Sequence, residues 1–364
     1  MKNIQQNKIL IVGNMGYVGT VLVRHLRSSY SQDYLIGYDI GYFSNHSFDT
    51  AFLPELFLNA QYFGDVRKFP SELLSDVSAI VYLAAISNDP MGNKYEEATF
   101  DINHRSCIAL AEKAKKAGVK SFIFASSCSV YGAASDTPRT EDSSLDPITA
   151  YAKSKVYSEK DLKKLADKDF LVTCLRFSTA CGMSPRLRLD LVLNDFVASA
   201  IINKKISILS DGRPWRPLIH VDDMARAIEW AIRRDFSRGK EYLVMNVGSN
   251  DWNYQIQDLA QATAKEIGGT EISINKNAMP DKRSYQVSFD FLKKLAPEAI
   301  PRATLSGTIK ELKSSLEKIH FCDRDFRESK RFIRLKNLDF LRRENMLSKR
   351  LEWKSLDDSI LINK

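Results

Sequence analysis

Tyr151 and Lys155 stand four residues apart in the stretch AYAKSK, with only small or polar residues between them. On a helix, positions i and i+4 share one face, so the phenol and the ammonium would point the same way. Such a pair can be an ordinary solvent-facing combination. It can also carry chemistry. A neighbouring positive charge stabilises phenolate and lowers a tyrosine pKa from its usual value of about 10, which makes the hydroxyl a usable base. The surrounding elements decide between the two.

The first of these elements is the apolar run KILIVG at 8–13, which leads straight into GNMGYVG and then into helix periodicity through Val18, Leu22 and Leu26. Gly13, Gly16 and Gly19 suit a tight turn, close approach of backbone to a pyrophosphate, and close packing of the helix. The next apolar run, YLIGYDI, ends at Asp39, twenty residues past Gly19, where a carboxylate would accept a ribose 2′-hydroxyl. No basic residue follows at once to hold a 2′-phosphate, so NAD is favoured over NADP.

The alternation continues. SAIVYLAA (78–85), KSFIFASS (120–127), FLVTCLRF (170–177) and YLVMNVG (242–248) read as buried strands, and 96–118 as a long helix closed by Gly118. Strands separated by helices imply a Rossmann-type, doubly wound parallel sheet. We expect an NAD-binding domain over 1–175 with returning segments near 217–248. A smaller C-terminal α/β substrate domain would take 176–216 and 249–364. Ligands bind such sheets at the carboxyl ends of the strands, where the glycine turn, Asp39, Ala84, Ala85, Ser126 and Ser127 lie.

Composition sets the outer bounds. With 364 residues, 44% hydrophobic and 27% charged, the chain can bury a full core. It has no apolar run of membrane-spanning length, no secretory layout at the start, and five cysteines without zinc spacing. A reducing cytoplasm, no membrane partner and no metal are expected. Residues 302–354 hold 15 Lys or Arg against 8 Asp or Glu, which accounts for most of the net +8. Leu305, Ile309, Leu312, Leu316 and Ile319 mark a buried stripe there, so these charges read as the solvated face of a packed helical tail rather than a nucleic-acid footprint.

The ordered series GNMGYVG, GDVR, YLAA, FASSCSVYG, YAKSK and DGRPWRPLIHVDDMARAI, over roughly residues 8–290, resembles the extended short-chain dehydrogenase/reductase superfamily, in its nucleotide-sugar epimerase/dehydratase branch. The resemblance implies roles. Tyr151 looks like the general base, Lys155 the ribose-binding residue that lowers the tyrosine pKa, and Ser127 the hydroxyl that hydrogen-bonds the reacting oxygen. Asn103 falls where the superfamily holds a water in the proton relay, or is a helix-surface residue. Met15, Tyr17 and Val18 in the glycine turn, Asp65 and Val66 at the adenine edge, Leu83 beside Ala84 and Ala85, and Ser126 look like further cofactor contacts.

On the substrate side the resemblance points to Ser87, Asn88, Ser178, Asn194, Arg216 and Arg283. Arg216 is the leading diphosphate ligand, since guanidinium pairs phosphate oxygens bidentately. Arg186 and Arg188 fit either diphosphate or ion pairs with Asp190. Many relatives carry asparagine where this chain has Ser178. Where 4,6-dehydratases place an Asp–Glu pair after the catalytic hydroxyl, this chain has Cys128 and Ser129, and Cys128 is either an unusual acid/base or a small buried filler. The expected activity is NAD-dependent epimerisation of a nucleotide-diphosphate sugar through a transient keto-sugar, by a homodimer. Keto-sugar reduction and dehydration are the alternatives. A regulator that only senses the dinucleotide could dispense with Tyr151 or Lys155, and both are present.

Overall fold

The computed structural model describes residues 7–48, 51–132, 137–275, 278 and 284–354. Twelve strands are found there: β1 Lys8–Val12, β2 Tyr34–Asp39, β3 Ala60–Phe63, β4 Ala79–Tyr82, β5 Ser121–Ser127, β6 Leu171–Phe177, β7 Thr179–Cys181, β8 Lys205–Ile208, β9 Trp215–His220, β10 Tyr242–Val247, β11 Asn253–Gln255 and β12 Glu271–Ile274. The α-helices are α1 Tyr17–Ser29, α2 Asp89–Lys94, α3 Glu96–Phe100, α4 Ser106–Lys116, α5 Ala150–Leu165, α6 Val192–Asn203, α7 Val221–Arg233, α8 Ile256–Ile267, α9 Asp290–Leu295, α10 Leu305–Lys318 and α11 Arg334–Arg343.

Seven strands form one parallel sheet in the order β10-β6-β5-β4-β1-β2-β3. Its strands read as near-continuous apolar runs because both faces are covered. Alternate residues separate cleanly. Leu10, Ile36, Ile80 and Phe122 face a core closed by α4 and α5, while Ile9, Leu35, Val81 and Ile123 face one closed by α1 and α7. The strand order reverses between β1 and β4, and doubly wound sheets bind ligands at that reversal.

The second unit has its own core around Leu193, Val197, Leu259 and Leu312, from α6, α8 and α10. Two small sheets, β11-β9-β7 and β12-β8, complete it. The stripe expected at 305–319 forms α10, capped by Thr304, with Ile309, Leu312 and Leu316 buried.

Two expectations are refined. The long helix expected over 96–118 forms but contains a π-helical turn: α3 runs to Phe100, the π turn spans Asp101–Arg105, and α4 continues without a break to Lys116. The domain split also shifts. Leu292, Ala296 and Ala299 pack on the α1–α7 face of the large sheet, and Leu338, Leu341, Leu347 and Leu351 on the opposite face. The segments 290–299 and 334–351 thus cover the Rossmann sheet instead of joining the substrate unit, because their apolar residues are what the two sheet faces lack at those edges. No helix among the described residues is long and apolar enough to cross a membrane.

Candidate active site

The cleft runs along the carboxyl ends of β1, β2, β4 and β5 and encloses about 870 Å³. Its floor is the glycine turn. Gly13 has φ +90°, and a Cβ there would lie 2.5 Å from the Ala84 amide nitrogen, so only glycine lets the turn rest on the end of β4. A Cβ on Gly19 would fall 2.5 Å from the Gly13 carbonyl oxygen, so this glycine serves the turn itself. The helix α1 starts just behind, presenting its unpaired amides and positive dipole end to the cleft.

Asp39 is fixed by that same turn. Its Oδ2 accepts the Met15 amide at 3.0 Å and its Oδ1 the Gly41 amide at 2.8 Å. Burial raises its pKa, against the pull of those two amides. Leu83 and Ala84 both donate backbone amides to the Val12 carbonyl, and Leu83 lines the cleft with the small Ala84 and Ala85. Val18 and Val66 line the cleft as well, and Tyr17 reaches across to donate its hydroxyl to the Gly182 carbonyl at 2.6 Å. Asp65 borders the cleft, but its carboxylate is held by the Arg67 amide and guanidinium, so Val66 and backbone are what it leaves for an adenine edge.

The catalytic candidates come from α5 and the end of β5. Thr149 caps α5, accepting the Ala152 amide and donating to Asp89 at 2.6 Å. One turn apart, Tyr151 and Lys155 both line the cleft, with the ammonium 5.6 Å from the Tyr151 ring centre. Ser127, at the end of β5, lines the same cleft beside Tyr151. Burial pushes Tyr151 up to about 12, against a lowering by Ser127. Burial pushes Lys155 down to about 8, and its Nζ donates to the Ala125 carbonyl at 2.7 Å. The net shift of the phenol is therefore upward, not the lowering expected from Lys155. Desolvation of the hydroxyl outweighs it.

Other candidates occupy different places from those expected. Asn103 sits in the π turn, fully buried: it accepts the Ile86 amide at 2.8 Å and donates to the Ile86 carbonyl and Ser154 Oγ. Its backbone carbonyl accepts Ser158 Oγ. Its side chain thus ties the β4 loop to α5. Ser126 lines the cleft, and its hydroxyl donates to Glu159 at 2.5 Å. Cys128 is 1% exposed, donates to the Arg176 carbonyl, and burial raises its pKa, which makes it a poor acid or base. Asn194 is fully buried and braces the 182–188 loop through Gly182, Arg188 and Tyr17, so it is no diphosphate ligand.

On the substrate side, Ser87, Asn88, Ser178 and Arg216 all line the cleft. Asn88 caps α2 and donates to Asp190, while Ser87 accepts from Arg188. Arg188 is chelated by Asp190 yet borders the cleft, whereas Arg186 is held by Glu55 outside it. Arg283 lies outside the described residues. Sequence reasoning missed Tyr285, whose ring lies 5.8 Å from the Arg216 guanidinium, and Arg334, a cleft-lining arginine from the basic tail. Tyr285 stands two residues from Arg283 and was findable in that motif. Arg334 had no local signal.

These features fit a dinucleotide: a glycine cradle with no room for side chains, a helix N-terminus for the diphosphate, and an anchored carboxylate at the end of β2. The profile of the NAD dependent epimerase/dehydratase family matches residues 9–248, and the chain belongs to that family. It is an NAD-dependent enzyme family. The UDP-glucose 4-epimerase of Lactobacillus helveticus is 28% identical over 289 residues, 73% of this chain and 83% of its own length. The UDP-glucuronic acid 4-epimerase from Bacillus cereus, solved with UDP-glucuronic acid and NAD, has a TM-score of 0.73 at 22% identity, covering 85% of this chain and 99% of its own. An NAD-dependent NDP-hexosamine 5,6-dehydratase involved in tunicamycin biosynthesis has a TM-score of 0.74 at 22% identity, covering 88% and 100%. At that identity the two structures establish the shared fold.

Proposed function

We propose that the protein epimerises a nucleotide-diphosphate sugar through a transient keto-sugar, in the cytoplasm, as a homodimer serving carbohydrate biosynthesis. The reading rests on one observation: Ser127, Tyr151 and Lys155 meet at the end of β5, in the cleft that also holds the glycine turn and Asp39. Bound NAD would supply hydride acceptance and return. The chain's residues do the rest. Asp39 takes the ribose hydroxyls, the glycine turn and α1 take the diphosphate, and the small Ala84 and Ala85 admit the ring.

Tyr151 Oη removes the proton from the sugar hydroxyl and later returns it. Ser127 holds the same oxygen. Lys155, an ammonium below its pKa of about 8, stabilises the phenolate once substrate brings the hydroxyl into its oriented position. Arg216, beside Tyr285, takes the substrate diphosphate from the smaller unit. Dehydration needs an acid and a base next to the tyrosine. The thiol at 128 is turned toward the Arg176 carbonyl, which favours epimerisation.

The relatives named for UDP-sugars make those the first compounds to try. Incubation with UDP-glucose, UDP-N-acetylglucosamine and UDP-glucuronic acid in deuterium oxide should yield an epimer of unchanged mass with no ring deuterium, by NMR and mass spectrometry. A product lighter by one water, or deuterium beside the transient ketone, would replace this reading with elimination or enolisation.

A further inference from the structure

Three arginines, two neighbours from the 182–188 loop and one from the tail, converge beside the cleft: Arg186, Arg188 and Arg334. Two of them are compensated. Arg186 pairs with Glu55 at 3.0 Å, and Arg188 with Asp190 at 2.9 Å. Arg334 is different. It is 2% exposed and lines the cleft, yet it forms no ion pair among the described residues. Its guanidinium donates to two uncharged acceptors, His46 Nδ1 at 3.2 Å and the Arg186 carbonyl at 2.7 Å, and rests 4.2 Å above the Phe43 ring centre.

A buried charge without a counter-ion is expensive, and native structures either pair it or supply its partner from outside. Burial lowers the Arg334 pKa to about 9, with Arg188 and Arg186 adding to the fall and the carboxylates of Asp190 and Asp39 opposing it without pairing it, and His46 beside it is driven down to about 4, so the imidazole stays neutral and accepts. The surroundings say where the missing anion belongs. Arg334 packs against the 40–48 loop that follows Asp39, and Phe43, Ile40 and Tyr42 of that loop line the cleft's cofactor end. Arg216, the diphosphate candidate of the smaller unit, packs on Tyr285 instead.

We infer that Arg334 is the counter-ion for the diphosphate of the bound dinucleotide, reaching it from the rim that follows Asp39. The inference rests on the dinucleotide reading of the cleft. The segment that carries Arg334 is itself fastened to the same rim: Asn337 donates to the Tyr42 carbonyl, Tyr42 to the Leu351 carbonyl, and Trp353 to the Ile40 carbonyl. A guanidinium delivered from the tail would thus add a charged donor to the backbone amides that the helix N-terminus offers the diphosphate.

The test is calorimetry on ligand-free protein with ADP-ribose, adenosine and UDP, comparing the wild type with Arg334→Gln and Arg334→Lys. Gln keeps a donor for His46 or the Arg186 carbonyl and removes the charge; Lys keeps the charge. Arg334→Gln should weaken ADP-ribose at least tenfold while changing adenosine and UDP less than twofold, and Arg334→Lys should recover part of the loss. Equal losses for ADP-ribose and adenosine, or no loss for ADP-ribose, would make Arg334 a structural strut and overturn the inference. A loss confined to UDP would assign it to the sugar nucleotide and overturn it equally. Should Arg334→Gln fail to fold, the Arg334→Lys series decides: unchanged ADP-ribose affinity with weakened adenosine sinks the inference. A wild type that binds no ADP-ribose would instead remove the dinucleotide reading beneath it.

Discussion

Two buried cationic regions lie within one molecule and are built on opposite terms. Beneath β5 and β6, Arg176 is chelated by Glu159 at 2.7 and 3.0 Å, touches Tyr131, and shares Glu159 with Ser126. Burial alone would lower the Arg176 pKa, but Glu159 outweighs it and the net shift is upward. In the cleft, Lys155 and Arg334 are equally buried but bond only to neutral acceptors, and both pKa values fall. The first region is complete as folded. The second carries positive charge whose compensation must come from ligands, so loss of stability and loss of function should separate when each is cut.

The largest separation should come from Tyr151→Phe. Deleting the hydroxyl should cost on the order of 10²–10⁴ in kcat, the range of positioned acid–base catalysis. Urea unfolding and NAD content should stay at wild-type levels. Turnover surviving within tenfold would break the mechanism.

Glu159→Gln strikes the other region. It strands Arg176 without its counter-ion and should cost about 3–5 kcal/mol in urea unfolding. A cost below about 1 kcal/mol would mean that the network is compensated elsewhere, and the comparison would collapse.

Lys155→Met should do the reverse. The folded-state pKa is about 8 against 10.5 for the ordinary side chain. The ammonium therefore opposes folding in full below pH 8, and the opposition fades as pH climbs from 8 to 10.5. Ligand-free Lys155→Met should exceed the wild type by roughly 2–3 kcal/mol at pH 7, with the gap closing by pH 10.5 and turnover lost throughout. A gap that widens with rising pH would contradict the burial argument. The smallest effect belongs to Cys128→Ala: about 1 kcal/mol of stability and activity within twofold. Loss of turnover there would restore the thiol as an acid or base.

How far the chain could be read in advance follows the same division. The turn Gly13–Gly19 and the carboxylate of Asp39 are encoded by local backbone geometry, and Tyr151 and Lys155 by one helical turn, so spacing along the chain reveals them. Residues whose roles depend on what tertiary packing places opposite them are not legible that way. Asn103 and Asn194 have the right type and position for ligand contacts, yet Ile86 and Gly182 occupy their amides. Arg334 meets His46 from 288 positions away, a distance over which no sequence pattern operates. The π turn at Asp101–Arg105 was hidden for a related reason. Its 3.6-residue apolar pattern continues on either side, and Asp101 is gripped by Arg105 and by the remote Arg350.

The fastening of Trp353 and Leu351 to the rim at Ile40 and Tyr42 also has a meaning in time. During synthesis the chain emerges at roughly 5–20 residues per second, and domains form as they appear. The glycine turn and Asp39 leave the ribosome before the rest of the sheet. Residues 334–353 follow every strand of the sheet, so a nascent chain presents an unfinished rim until they too have emerged. A dinucleotide that docked on the sheet before then would meet the rim segment only afterwards, which would order cofactor loading before completion of the rim in the history of each molecule.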